Sequence, residues 1–181
     1  MAGEIRSLLV LGGARSGKSR YAQGLAEQSG KRRVLIATAE AGDTEMAKRI
    51  ALHQAARGAE WRTLEAPLAL AEALIAVAAA ETIVLVDCLT LWLTNLMLAG
   101  RDAAAESQRL AALIPALAGP AIFVSNEVGA GIVPDNRLAR EFRDAQGRLN
   151  QSVAAACEGV VFVAAGLPLT LKPGQHIAPK L

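Results

Sequence analysis

The chain is poor in aromatic residues, with three Phe, two Trp and one Tyr among 181 residues, whereas alanine alone occupies 38 positions. Small side chains of this kind favour close helix packing and high helix propensity over a β-sandwich. Two cysteines cannot build a disulfide framework, and two histidines form no cluster at zinc-ligand spacing. The composition therefore argues against both a disulfide-stapled domain and a structural zinc domain.

Long hydrophobic runs and an excess of charge of one sign are also missing. The longest apolar stretches, residues 68–80 and 89–99, are shorter than the roughly 20 residues that a membrane span needs. The N-terminus lacks the pattern of a secretory signal peptide. Because 19 basic residues face 17 acidic ones, a dedicated nucleic-acid binder is also not expected. We expect a soluble cytoplasmic protein with a single domain over residues 1–181, and no nucleic-acid or membrane partner.

Short apolar runs alternate with longer helical patterns along the chain. The runs are continuously apolar, which is typical of strands buried on both faces of a parallel sheet. Alternating strands and helices predict an α/β fold, a mostly parallel sheet with helices on both faces. The predicted strands are 8–11, 34–37, 83–86, 122–125 and 160–164, with an edge strand at 167–171, and the predicted helices are 18–28, 44–57, 68–80, 89–98, 103–117 and 135–158.

A phosphate-binding loop follows the first predicted strand. The pattern G-x-x-x-x-G-K-[ST] is matched in full and opens a predicted helix, which is the context that this motif requires. Glycines let successive N–H groups face one anion, the lysine reaches the β- and γ-phosphates, and the final hydroxyl binds Mg²⁺. The matching residues are Gly12, Gly13, Ala14, Arg15, Ser16, Gly17, Lys18 and Ser19. They predict a nucleoside triphosphate site in a P-loop NTPase fold.

Two carboxylates follow other predicted strands. Asp87 comes directly after the run at 82–86, where a P-loop protein places the acidic residue that holds Mg²⁺, so Ser19 and Asp87 are the predicted metal ligands. The alternative role for Asp87 is to cap the next helix. Glu127 follows a further strand, at the edge where parallel sheets bind ligands. It either activates a hydroxyl or pairs with an arginine.

One histidine lies in a motif of its own. No Asn-Lys-x-Asp stretch occurs, which favours an enzyme that uses the triphosphate as a donor over a signalling GTPase. His53 shares a predicted helical face with Met46 and Ile50, which favours a role in the core. Arg49 and Arg57 lie four residues to either side, and two nearby cations favour the neutral, nucleophilic imidazole. Spacing alone leaves both roles open.

Beyond the phosphate loop, the chain resembles the bifunctional adenosylcobinamide kinase/adenosylcobinamide-phosphate guanylyltransferase family of cobalamin synthesis. The resemblance covers nearly the whole chain, and its most restricted block begins at residue 125. The matching segments are LGGARSGKSRYA, IATAE, EMAKRIALHQAARGAEWRTLEAP, VLVDCLTLWLTNL and SNEVGAGIVPDNRLAREFRDAQGRLNQ. The implied fold is a RecA-like P-loop NTPase.

The resemblance implies two reactions. ATP or GTP phosphorylates the aminopropanol hydroxyl of adenosylcobinamide, and GTP then guanylylates that phosphate through a GMP–histidine intermediate at His53, giving adenosylcobinamide-GDP and pyrophosphate. Lys18 is the second residue expected in catalysis. The implied nucleotide contacts are Gly12, Gly13, Ala14, Arg15, Ser16, Gly17, Lys18, Ser19, Thr38, Ala39, Glu40, Gln54, Ala55, Ala56, Arg57, Glu65 and Asp87.

Further expectations concern assembly and competing functions. The resemblance implies a homotrimer with GTP and ATP as co-substrates, and the expected cofactor is Mg²⁺. Arg137, Arg140 and Arg148 lie near one face of the last predicted helix, as a solvated face, a subunit contact or a site for the substrate's phosphate-bearing arm. Two other functions remain: a different P-loop small-molecule kinase, which would not need His53, and a non-enzymatic nucleotide-binding module.

Overall fold

A seven-stranded sheet organises the chain in a computed structural model that describes residues 5–39, 58 and 60–174. The strands are β1 Ser7–Gly12, β2 Arg32–Ala37, β3 Trp61–Glu65, β4 Thr82–Asp87, β5 Ala121–Asn126, β6 Gly159–Ala164 and β7 Leu167–Lys172. Their order in the sheet is β3-β2-β4-β5-β1-β6-β7. All neighbours pair in parallel except β6 and β7, which are antiparallel. The carboxyl ends of β1 to β5 therefore meet at one edge of the sheet.

Helices cover both faces of this sheet. They are α1 Lys18–Gln28, α2 Leu70–Val77, α3 Leu89–Leu98, α4 Ala103–Leu113 and α5 Arg137–Ala156, and a 3₁₀ turn Ile114–Ala116 follows α4. Ala22 and Ala26 of α1 pack with one set of strand residues, including Val10. Residues of α2 to α5 pack with the alternate set, including Leu9. This arrangement confirms the predicted α/β P-loop fold class, with its mostly parallel sheet and helices on both faces.

The predicted elements agree with the structure most closely where local rules are strong. The helix at 18–28 and the edge strand at 167–171 are confirmed, the latter extended by one residue. The helix predicted at 103–117 ends at Leu113, because Pro115 has no N–H to continue an α-helix. The helices predicted at 68–80 and 135–158 are shorter at both ends. The predicted helix 44–57 lies outside the described residues.

The strand β3 was not predicted from the sequence. Its five residues occupy an edge of the sheet, and their exposure does not alternate, since only Trp61 and Leu64 are partly buried. A half-exposed edge strand carries neither the continuous apolar run nor the alternation by which strands are recognised. Trp61 and Thr63, which are common strand residues, were the available signal.

Both cysteines and the more buried tryptophan, Trp92, belong to the core. Cys88, Cys157 and Trp92 are buried, and the Trp92 indole donates a hydrogen bond to the Leu68 carbonyl at 3.0 Å. Burial raises the pKa of Cys88 to about 11 and that of Cys157 to about 12. Both thiols therefore stay protonated near neutral pH. In the part of the chain that the structure describes, no helix combines the length and apolar character that a membrane span requires.

Truncating the core side of α3 should destabilise the protein. Leu96 is fully buried between the sheet and the helices, whereas Leu98 on the same helix is 75% exposed. We expect Leu96→Ala to lower the free energy of unfolding by about 2–5 kcal/mol, because it removes apolar contacts and leaves a cavity. Leu98→Ala should change it by less than about 0.5 kcal/mol. Urea unfolding followed by circular dichroism measures both, and equal losses would contradict the packing described.

Candidate active site

The phosphate loop is a strand–turn–helix unit at the carboxyl edge of the sheet. β1 ends at Gly12, and α1 begins after Gly17, which has a φ of 93°. That left-handed conformation suits glycine, because a side chain would be strained there. Gly17 has no side chain that could cap the first N–H groups of α1. Because α1 begins directly after the loop, these N–H groups and the positive end of the helix remain available to an anion bound there.

The turn between β6 and β7 is hydrogen-bonded to the phosphate loop. Ala165 and Gly166 form the two-residue connection between β6 and β7, and both have positive φ values. The Gly166 N–H donates to the Ser16 carbonyl at 2.8 Å. A Cβ atom on Gly17 would lie 3.2 Å from the Gly166 Cα. Gly166 was missed from sequence, although a small dipeptide between two apolar runs is a hairpin signal.

The loop contains polar groups suited to a phosphate. Lys18 is only 8% exposed, and its Nζ donates to the Gly13 carbonyl at 3.1 Å. The Ser16 hydroxyl is buried and has no hydrogen-bond partner among the described residues. Buried polar atoms are normally paired. An oxygen of a bound phosphate would supply the missing partner, so the loop fits the anion that its sequence predicts.

The two predicted metal ligands are in contact. The Ser19 hydroxyl donates to Asp87 Oδ1 at 3.3 Å, joining α1 to the end of β4. Cys88, not Asp87, occupies the N-cap position of α3, and the Cys88 side chain makes no capping hydrogen bond. The alternative role of Asp87 as a helix cap is therefore wrong.

The Ser19–Asp87 pair fits Mg²⁺ by its chemistry. A hydroxyl and a carboxylate are the hard oxygen ligands that this ion uses, and Mg²⁺ is commonly held by one or two such groups together with substrate phosphates. No group of three or more His, Cys, Asp or Glu side chains gathers at a metal-binding spacing within residues 5–39, 58 and 60–174. A site completed by a nucleotide matches this small protein ligand set.

Thr38 fixes the backbone beside Asp87. Its hydroxyl donates to the Cys88 carbonyl at 2.7 Å and accepts from the Cys88 N–H at 3.0 Å, and the whole residue is buried. Asn95 of α3 donates to the Thr38 carbonyl at 2.7 Å. Thr38 was predicted as a nucleotide contact. Its side chain joins the residue after β2 to the residue after β4, and the nucleotide contact stays a prediction.

Two further predicted nucleotide contacts follow or end strands at the same edge. Ala39 follows β2, and Glu65 ends β3 as an exposed side chain, paired in register with Ala37. β3 is four strand positions from β1, or about 19 Å at a spacing of about 4.8 Å per strand. Glu65 is therefore not brought to the phosphate loop. Glu40, His53, Gln54, Ala55, Ala56 and Arg57 lie outside the described residues.

Glu127 and the arginines of α5 can also be located. Glu127 follows β5, and its N–H donates to the Gly12 carbonyl at 3.1 Å. No arginine pairs with its carboxylate among the described residues; Oε1 accepts from the Gly129 N–H at 2.6 Å instead.

Arg137 is an exposed side chain paired with Glu141, and Arg140 donates to the Pro134 and Asp135 carbonyls. Arg137 thus has a solvated ion pair, and Arg140 secures the start of the helix.

The sequence matches a protein family over almost its whole length. The model of the cobinamide kinase / cobinamide phosphate guanyltransferase family, CobU, matches residues 8–171. The chain belongs to this family. It is therefore an enzyme, a transferase of the kinase and guanylyltransferase type, and nucleotides are its co-substrates.

Named relatives support the assignment to the CobU family. The bifunctional adenosylcobalamin biosynthesis protein CobP of Pseudomonas aeruginosa is 54% identical over 166 residues, which cover 91% of this chain and 96% of that protein. The bifunctional adenosylcobalamin biosynthesis protein CobU of Salmonella typhimurium is 42% identical over 180 residues, covering 91% of this chain and 99% of that protein. Among solved structures, the ATP synthase subunit NeqB from Nanoarcheaum equitans has a TM-score of 0.48 at 15% identity, covering 88% of this chain and 45% of that one.

Two neighbouring glycines of the loop should differ in their tolerance of a methyl group. A Cβ on Gly12 would lie 2.5 Å from both the Ser16 Oγ and the Val163 carbonyl oxygen, whereas a Cβ on Gly13 would meet nothing within 4 Å. We expect Gly12→Ala to weaken nucleotide affinity at least about fivefold, the effect of about 1 kcal/mol of overpacking. Gly13→Ala should bind nearly as tightly as wild type. Titration with a fluorescent GTP analogue measures both, and equal affinities would contradict the close packing at Gly12.

Proposed function

We propose that this protein phosphorylates the aminopropanol hydroxyl of adenosylcobinamide with ATP or GTP and then transfers GMP from GTP to the new phosphate. The second transfer passes through a GMP–histidine intermediate at His53 and gives adenosylcobinamide-GDP and pyrophosphate. The observation that supports this proposal is a phosphate loop with a buried lysine, joined to Asp87 through Ser19, in a member of the CobU family. The loop explains nucleotide use, and family membership supports the two acceptors.

The first transfer requires positioning and neutralisation of charge. Lys18 and the N-terminal end of α1 bind the phosphates, as is usual for P-loop enzymes. Ser19 and Asp87 would hold Mg²⁺, which neutralises the negative charge that develops on the transferring and leaving phosphate oxygens. These groups act on the nucleotide alone, so they can serve whichever acceptor is present.

The second transfer requires a nucleophile from the protein. A neutral imidazole nitrogen of His53 attacks the α-phosphorus of GTP, a P–N bond forms, and the bond from that phosphorus to pyrophosphate breaks. The phosphate oxygen of the substrate then displaces the imidazole, which divides one transfer into two easier steps. Cys88, although close to the site, is not suited to this role because its pKa of about 11 keeps the thiol protonated.

The wider set of nucleotide contacts remains part of the proposal. Glu40, Gln54, Ala55, Ala56 and Arg57 are proposed to bind the nucleotide on the strength of the family resemblance. Glu65 and Ala39 would contribute from the ends of β3 and β2. A nucleotide held by the phosphate loop can reach Glu65 only by extending along the sheet edge towards β3.

We further propose the homotrimer that the resemblance implies and the cytoplasmic location expected from the composition. β7 is an edge strand, and Leu167 and Leu169 on one of its faces are 72% and 62% exposed. Apolar side chains on an open strand edge are a surface that proteins usually cover. A second copy of the same chain is the proposed cover.

Substituting His53 should separate the two reactions. His53→Ala should abolish guanylylation and leave much of the kinase activity, because phosphoryl transfer does not need the imidazole. Wild type incubated with α-labelled GTP should carry an acid-labile, base-stable adduct. Lys18→Ala should weaken both reactions.

The matched control for this experiment is His176→Ala, which alters the only other histidine of the chain and should leave labelling intact. Equal labelling of His53→Ala and wild type would overturn the assignment of the nucleophile. An unchanged kinase rate in Lys18→Ala would overturn the shared nucleotide site. Formation of neither product by wild type would overturn the proposed function.

The proposed assembly predicts a mass of three chains in solution. Sedimentation equilibrium should return that mass for wild type and a smaller one for Leu169→Glu, because a buried charge opposes association. Leu98→Glu, at another exposed leucine, should remain trimeric. A monomeric wild type would contradict the homotrimer, and a trimeric Leu169→Glu would contradict the role of β7.

A further inference from the structure

Glu127 follows the end of a strand adjacent to the one that carries the phosphate loop. β5 is the neighbour of β1, and Asn126 pairs in register with Gly12. The next residue, Glu127, donates its N–H to the Gly12 carbonyl at 3.1 Å. The backbone that carries this carboxylate is thus hydrogen-bonded to the first residue of the phosphate loop.

Two helices fix the backbone of this strand end. The Asn126 N–H donates to the Thr90 hydroxyl of α3 at 2.9 Å, and Asn150 of α5 donates to the Asn126 carbonyl at 3.0 Å. Asn150 is itself held by the Ser125 hydroxyl and by Gln146, at 2.7 and 2.9 Å. Ser125 and Gln146 are completely buried. These hydrogen bonds fix the backbone next to Glu127. The attachment point of its carboxylate is therefore set before a substrate binds, as catalytic groups require.

The Glu127 carboxylate accepts a backbone hydrogen bond but forms no ion pair with a described residue. Oε1 accepts from the Gly129 N–H at 2.6 Å, and no lysine or arginine in the described ranges forms an ion pair with the carboxylate. No described donor is hydrogen-bonded to Oε2. Asp87, which ends β4 one strand further from β1, accepts from Ser19. The two carboxylates therefore have different neighbours, and only Asp87 is joined to the predicted metal ligand Ser19.

From this geometry we propose that Glu127 orients the acceptor hydroxyl and takes its proton during phosphoryl transfer. The inference deepens the proposed function and rests on it. The hydroxyl oxygen attacks the γ-phosphorus, and a new O–P bond forms. The bond from that phosphorus to the β–γ bridging oxygen breaks, and its electron pair leaves with the nucleoside diphosphate. The hydroxyl proton passes to the Glu127 carboxylate and is later released to water.

The same residue has no proton to take in the second reaction. There the attacking group is a phosphate oxygen, which is already ionised near neutral pH. A group that serves only as proton acceptor is therefore needed for the kinase step and dispensable for guanylylation. This asymmetry distinguishes a catalytic role from a structural one, because a change in the shape of the loop would affect both reactions.

The test is Glu127→Gln. Glutamine keeps an oxygen that can accept from the Gly129 N–H, and so keeps the turn, but it cannot accept the proton. We expect kcat for phosphorylation of adenosylcobinamide to fall about 100-fold or more, as for loss of a general base. The affinity for nucleotide and the rate of guanylylation of pre-formed adenosylcobinamide phosphate should both stay close to wild type. The control is Glu141→Gln, an exposed carboxylate on α5 paired with Arg137, which should leave both rates unchanged.

Two results would overturn the assignment. An unchanged kinase rate in Glu127→Gln would show that the carboxylate only supports the turn. An equal fall in both reactions would show that it acts on the shared nucleotide site. If wild type catalysed neither reaction, the proposed function itself would fall, which is a different outcome from a wild type that is active and a variant that is not impaired.

Discussion

Parallel pairing of β1 to β5 is the constraint on which the site depends. Parallel strands all run in one direction, so the residues that follow them collect at one edge. The phosphate loop, Thr38, Asp87 and Glu127 all lie at that edge for this reason, although they are distant in sequence. The sheet interior supplies the rigidity, since its strand residues are buried on both faces. The candidate site is formed by the short segments that follow the ends of these strands.

Those segments are fixed by hydrogen bonds that cross between elements. Thr38 pairs with the backbone of Cys88, Thr90 and Asn150 pair with the backbone of Asn126, and Gly166 pairs with Ser16. Each bond contributes about 1 kcal/mol net, but an unpaired buried partner costs about 1–3 kcal/mol. Since several of these groups are buried, alternative loop positions would leave them unpaired. The loops at the site are consequently held close to one conformation by these hydrogen bonds.

The parts that could be predicted from sequence were those set by short-range rules. The phosphate loop is recognised because glycine, lysine and serine occur at fixed spacing between an apolar run and a helix, and α1 has the predicted bounds. The contact between Ser19 and Asp87 was anticipated because a phosphate loop demands a nearby carboxylate. By contrast, β3 was missed because an exposed edge strand has little hydrophobic pattern. The sheet order, and with it the distance of Glu65 from β1, depends on long-range pairing that no local pattern encodes.

In the proposed function one phosphate site serves two acceptors, a hydroxyl whose attacking oxygen carries a proton and a phosphate whose attacking oxygen is ionised. A hydroxyl must lose its proton to become phosphorylated, whereas an ionised phosphate need not lose one to become guanylylated. Groups proposed to bind the nucleotide, such as Lys18, cannot distinguish these acceptors. A group that distinguishes the hydroxyl from the phosphate must therefore contact the acceptor, and so it must lie beside the loop and outside it. The sheet edge permits this division because successive strand ends are only about 4.8 Å apart, so β5 can present Glu127 next to a loop that belongs to β1.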